Sequence, residues 1–220
     1  MNAIKNAIEQ NNATVAFLQA QDLSRALNSS ITALMESKRM HTHQISSSTT
    51  ISSIATAHLD GCMLLSPIND ETVDSDSSGA FVYEHGIVIP SKMMDQKVIT
   101  PIVLFNAALT HHLVANESHC PRMLQRAKAL YELAYDTYDM DHNILFQFAV
   151  INNIAVIERD MGRVMVSEEC FEYLESLVMI FLADEKYSVH RRHVRGFHAN
   201  IIRAHRNDGS VGTNRFAPAA

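Results

Sequence analysis

Tryptophan is absent, and the chain of 220 residues holds only 7 glycines and 5 prolines. So few turn formers exclude a many-turned sandwich or barrel and point to a mainly helical protein. The three cysteines, Cys62, Cys120 and Cys170, are odd in number and form no CxxC, which argues against a disulfide frame and for reduced, structural thiols. The opening MNAIKNAIEQNN has no basic stretch leading into an apolar core, and no uninterrupted apolar run reaches the roughly 18 residues of a membrane helix. The expected setting is therefore intracellular, cytoplasmic or alternatively nuclear. GxSxG, P-loop, GxGxxG and HExxH patterns are also missing, so no enzyme activity, catalytic residue or cofactor is expected. What is present is 47% apolar residues, enough at this length to bury a sizeable core.

Helical spacing recurs three times. In residues 11–34 the positions Ala13, Thr14 and Phe17 precede a turn candidate at Gln21 and Asp22, after which Ala26, Ser30 and Ala33 follow. The second copy runs through Asn106, Ala107, Ala108 and His111, then Ala127, Tyr131 and Ala134. A third has Asn153, Ile154, Ala155 and Glu158, then Gly162, Cys170, Leu174 and Leu177. An asparagine precedes the small pair each time, at Asn12, Asn106 and Asn153, and is doubled by Asn11 and Asn152.

This order resembles the tetratricopeptide repeat, a helix-turn-helix unit, with an asparagine pattern similar to that of kinesin-light-chain repeats. The 12-residue step from Thr14 to Ala26 matches the family. Ala108 to Ala127 is seven residues longer and Ala155 to Cys170 three longer, so insertions are expected in those two turns. The resemblance implies a concave groove whose asparagines hydrogen-bond the backbone of an extended peptide. Carboxylate-clamp members of the family keep a further asparagine where this chain has Val15, Leu109 and Val156, which argues against an acidic chain end as ligand. The order of repeat, insert, repeats and a terminal APAA also resembles a group of short tetratricopeptide-like proteins of unicellular algae, and that likeness carries no activity to transfer.

An amide offers one donor group and one acceptor, so asparagines repeated along a groove can bind any peptide backbone. If Asn106 marks that groove, Phe105, Leu109 and His112 share its face, while His111 points toward the packing seam. Adjacent histidines on a helix diverge, and His119 and Cys120 fall in the expected inserted turn, so this cluster lacks the convergence of a zinc site. Glu158, Arg159 and Asp160 read as a solvated helix end, with Arg159 reaching the groove.

The stretch HTHQISSSTTISS reads as flexible, and VDSDSSG at 73–79 as an acidic turn, because the twelfth position of a calcium loop would be His85 instead of glutamate. AFVYEHGIVIP then gives a strand signal, and residues 196–204 are its expected partner in a two-stranded β-ribbon, with a terminal helix as the alternative. The segment 190–206 carries five arginines, histidines at 190, 193, 198 and 205, and no acid, within a chain of net charge -6. It has one aromatic residue and no nucleic-acid motif, which favours an intramolecular or interfacial role over nucleic-acid binding.

The expected architecture is mainly α: a tetratricopeptide-like α-solenoid of three helical hairpins with a long flexible insertion and a short β-ribbon. Residues 1–37 form repeat 1, 38–99 the insertion with a strand near 80–89, 100–181 repeats 2 and 3, and 182–220 a basic segment and tail. The expected function is protein–protein interaction, with an extended peptide or partner helix held by Asn12, Phe105, Asn106, Leu109, His112, Asn152, Asn153, Val156 and Arg159. No cofactor, metal or membrane partner is expected, and self-association is compatible with three repeats. The alternatives are a nucleic-acid-associated protein using 190–206 and a structural or regulatory subunit.

Overall fold

The computed structural model describes residues 2–45, 82–93, 95–138, 144–183 and 194–205. These form helices α1 (Asn2–Gln19), α2 (Leu23–Ile45), α3 (Gln96–Ser118), α4 (Pro121–Thr137), α5 (Ile144–Asp160), α6 (Val164–Ala183) and α7 (Arg195–His205). The fold is mainly helical, as the composition implies. Consecutive helices pack as antiparallel hairpins, α1 on α2, α3 on α4 and α5 on α6; the hairpins pack on one another through α2 with α3 and α4 with α5, and α7 packs on α6.

The first and third hairpins share one construction. Gln21 and Gly162 both take left-handed backbone conformations, with φ of 57° and 76°. The amides beyond them close equivalent bonds, Asp22 N to Phe17 O at 2.9 Å and Arg163 N to Glu158 O at 2.8 Å. A shift of 141 residues relates Asn12 to Asn153, Asp22 to Arg163 and Ala26 to Ser167. The small residue of the third crossing is therefore Ser167, whose hydroxyl donates to Ala155 O at 2.8 Å, and not Cys170. The 12-residue step is thus kept in the third copy, and its turn holds no insertion.

The second hairpin differs by lengthening its helices and not its turn. Only His119 and Cys120 separate α3 from α4, with His119 left-handed at φ 50° and Pro121 in the first turn of α4. The extra seven residues amount to about two helical turns. Those turns preserve the facing of both helices, which is why the inserted loop expected at 119–120 does not exist.

The outer helices bury one stripe each: Ala26, Ser30, Ala33 and Ser37 on α2, Ala127, Tyr131, Ala134 and Tyr138 along α4, and Ser167, Phe171, Leu174 and Val178 on α6. Spacings of three and four define a single helix face. α3 and α5 are instead buried almost all round, from Ile99 to His112 and from Leu145 to Glu158, the pattern of a central helix. Contrary to the sequence reading, α3 is long and apolar enough to cross a membrane, the one such helix among the described residues, yet 83% of its most apolar window is buried inside the protein.

Three further expectations change. Residues 196–204 lie within α7, the terminal helix that stood as the alternative, and no strand, and so no β-ribbon, occurs among the described residues. Gly196, Phe197, Asn200 and Ile201 bury one helical face, and this face outweighs the β-branched pair Ile201 and Ile202 that suggested a strand. Residues 41–45, read as the start of a flexible insert, complete the last turn of α2. Glu158 is not at a solvated end: it is 1% exposed, and its carboxylate meets Lys128 of α4 at 2.9 Å and Arg163 after the turn. The acidic stretch at 73–79, most of the Ser/Thr-rich run, Cys62 and residues 190–193 lie outside the described residues.

Candidate functional site

Residues 82–90 run extended across α1, α3 and α5, and the repeated asparagines hold them. Asn153 of α5 accepts from Tyr83 N at 2.8 Å and donates to Tyr83 O at 3.1 Å. Asn106 of α3 does the same for Ile87, accepting from its N and donating to its O, both at 2.8 Å. Asn12 of α1 repeats the pair on Ile89, again at 2.8 Å for both bonds. Each amide thus satisfies the N–H and the C=O of one residue, as a neighbouring strand would. The strand expected at 81–89 does not form over its described residues 82–89; its backbone groups at 83, 87 and 89 are paired by asparagine side chains instead of by a neighbouring strand.

The second asparagine of each doubled pair orients the first. Asn11 donates to Asn12 Oδ1 and Asn152 donates to Asn153 Oδ1, both at 3.2 Å. Asn11 also donates to Ile87 O at 3.0 Å and accepts from Asn106 at 2.8 Å, so α1 and α3 are joined beneath the segment. An equivalent bond joins α5 to α7, where Asn200 donates to Asn152 Oδ1 at 2.7 Å. Asn200 therefore stands to Asn152 as Asn106 stands to Asn11, and α7 packs on both α6 and α5. Asn153 also donates to the hydroxyl of Tyr131 at 2.9 Å, tying the row to α4.

Side chains of the segment enter the core. Tyr83, Ile87 and Ile89 are buried, whereas Glu84 and His85 are exposed. The Tyr83 ring stacks on Phe197 with centroids 6.1 Å apart and meets Phe105 edge-on at 6.1 Å. Burial pushes the Tyr83 hydroxyl far above its ordinary titration range, so it stays protonated. Burying each such side chain contributes roughly 1.5–3 kcal/mol, and each net hydrogen bond about 1 kcal/mol.

The nominated residues fall into two groups. Asn12, Asn106 and Asn153 hold the segment, Asn152 supports Asn153, and Phe105 touches Tyr83. Leu109 and Val156 are core residues, and Arg159 is half-buried near the end of α5. His112 presents nothing to a ligand: it is fully buried, edge-on to Tyr131 of α4 at 6.2 Å, and desolvation lowers its pKa to about 4. Neither of its ring nitrogens has a hydrogen-bond partner among the described residues. His111 is also buried, with Nδ1 bonded to Ala107 O at 2.8 Å, and desolvation lowers its pKa. Among the described residues no three His, Cys, Asp or Glu side chains converge on a point.

Sequence reasoning missed Asn11, Asn200, Val15 and Gly86 as parts of the site. Asn200 carried a signal, since an asparagine followed by two apolar residues is also the local pattern at Asn106 and Asn153. In the basic segment α7 turns Phe197 and Asn200 inward, and His205 pairs with Glu175 of α6 at 2.9 Å. The chain matches no protein-family model, no curated protein and no solved structure.

Proposed function

We propose that this protein is a protein–protein interaction module, a tetratricopeptide-like solenoid whose inner face takes an extended chain by its main chain. One observation carries the reading: Asn153, Asn106 and Asn12, from three successive inner helices, each pair both backbone groups of one residue in a single extended segment. Asparagine suits this task because it supplies a donor and an acceptor side by side, which aspartate and leucine cannot. The guest in this structure is the chain's own residues 82–90, so a partner segment binds by taking their place. The competing structural reading holds that the face grips its own chain permanently.

Exchange distinguishes the two. Full-length protein with Tyr83→Ala, which weakens its own segment at the aromatic anchor, is titrated against a fluorescent synthetic peptide of residues 82–90. Saturable binding is expected, reduced about tenfold or more when Asn106→Ala is added. If the Tyr83→Ala protein keeps its helical content and takes up no peptide, the receptor reading is lost and the structural one stands.

A further inference from the structure

Main-chain bonding alone cannot tell one guest from another, yet the segment is held by more than its backbone. We infer that the face also selects side chains: it accepts an extended segment with an aromatic ring, a glycine three residues later, and β-branched aliphatics four and six residues later, and Val15 enforces the glycine. For guests from another protein this rests on the receptor reading above. For the chain's own segment it stands alone.

The glycine is the sharpest requirement. A Cβ built on Gly86 would lie 2.9 Å from one Cγ of Val15 and 3.2 Å from the other. Val15 cannot easily yield, because it is 1% exposed and a β-branched side chain on a helix has one strongly preferred rotamer. Backbone conformation is not the reason for glycine here, since Gly162 is the one glycine with positive φ among the described residues. A glycine in an extended stretch costs conformational entropy, and in this position space explains it. Close approach at Gly86 also draws the main chain onto α1 and α3, where Asn11 and Asn106 both reach Ile87 O.

The other requirements follow from burial. Tyr83 enters between Phe197 and Phe105, a slot that matches a flat ring. Ile87 and Ile89 are 3% and 0% exposed, and branched side chains suit an extended backbone. Glu84 and His85 are exposed, but the His85 ring meets the Tyr83 ring edge-on at 5.6 Å, so position 84 is the freer of the two.

A double-mutant cycle in the full chain tests the assignment. Hydrogen exchange at the Ile87 amide, held by Asn106 in the native chain, is read in Gly86→Ala, Val15→Ala and the double variant. Gly86→Ala should speed exchange about tenfold or more through overpacking, and adding Val15→Ala should return it to within about threefold of Val15→Ala alone. Additive effects overturn the assignment. Should Gly86→Ala alone fail to fold, recovery of a folded protein in the double variant is the supporting result, and failure of both overturns it. Tyr83→Phe and Glu84→Ala should leave exchange unchanged while Tyr83→Ala accelerates it; equal loss at Glu84 and Tyr83 also overturns it. Absence of peptide uptake in trans removes the receptor reading without touching this cycle, whereas an additive cycle in a chain that does bind peptide removes only the side-chain selection.

Discussion

His112 shows what a buried titratable side chain does when its ring nitrogens have no hydrogen-bond partner among the described residues. Its neutral ring fits the apolar seam between α3 and α4, but the protonated ring does not, and burial lowers its pKa from 6.5 to about 4. The unfolded chain therefore binds a proton at higher pH than the folded one. Stability from this group is complete above pH 6.5 and falls as pH drops toward 4, by roughly 3 kcal/mol at most. His111, lowered in the same direction, adds to the slope. Urea midpoints measured from pH 7.5 to 4 should fall steeply in the native chain. Replacing His112 with Phe should flatten the curve between pH 6.5 and 4, and an unchanged slope would show that the acid sensitivity lies elsewhere.

Among the elements, α7 has the most specific role for its length. It is short, and its basic composition suggests a surface strand or a nucleic-acid contact, yet Phe197 closes the aromatic slot of Tyr83 and Asn200 docks on Asn152. Phe197 also meets Phe148 edge-on at 5.8 Å, so one ring joins α7, α5 and the extended segment. Phe197→Ala is expected to cost about 3–5 kcal/mol in global stability. Within the folded state it should raise amide exchange at Tyr83 more than at Ile89, which is anchored by α1. Equal effects at both amides would mean that α7 does not hold that end of the segment.

The same elements show which features a sequence discloses. The hairpins and the asparagine row follow from spacing, because a helix face repeats every three or four residues and burial respects that period. The strand signal at 81–89, from aromatic and β-branched residues ending at Pro90, did mark a segment whose backbone needs pairing. What satisfies its backbone was not visible, since β-branched residues imply paired N–H and C=O groups without specifying whether a strand or an amide pairs them. α7 was misread for a related reason: Ile201 and Ile202 favour a strand locally, while Phe197, Asn200 and Ile201 equally trace a helix face, and only packing decides. Choosing Cys170 over Ser167 hid the identity of the first and third hairpins, because a buried serine looks polar until its hydroxyl is seen to bond Ala155 O.

The extended segment changes how the helices cohere. A row of stacked hairpins is held by nearest neighbours, so its parts can separate one at a time. Here residues 83, 87 and 89 bond to α5, α3 and α1 in turn, and one strap therefore spans three hairpins. The first hairpin is joined to the remainder by the covalent stretch 46–81 and also by non-covalent contacts. Among the described residues these include packing of α1 and α2 on α3, the Ser37 to Thr100 bond, the bonds of Asn11 and Asn12 with Ile87 and Ile89, and the Asn106 to Asn11 bond. If those contacts suffice, the covalent link is dispensable once the protein has folded. A specific protease site placed near residue 60 and cut after folding should yield two fragments that co-elute on size exclusion with native helical content. Adding Asn11→Ala and Asn12→Ala to the cut protein should weaken their association by about a hundredfold, in line with about 1 kcal/mol for each of several lost bonds and the groups left unpaired. Fragments that separate without those substitutions would mean that the strap adds no cohesion beyond chain connectivity.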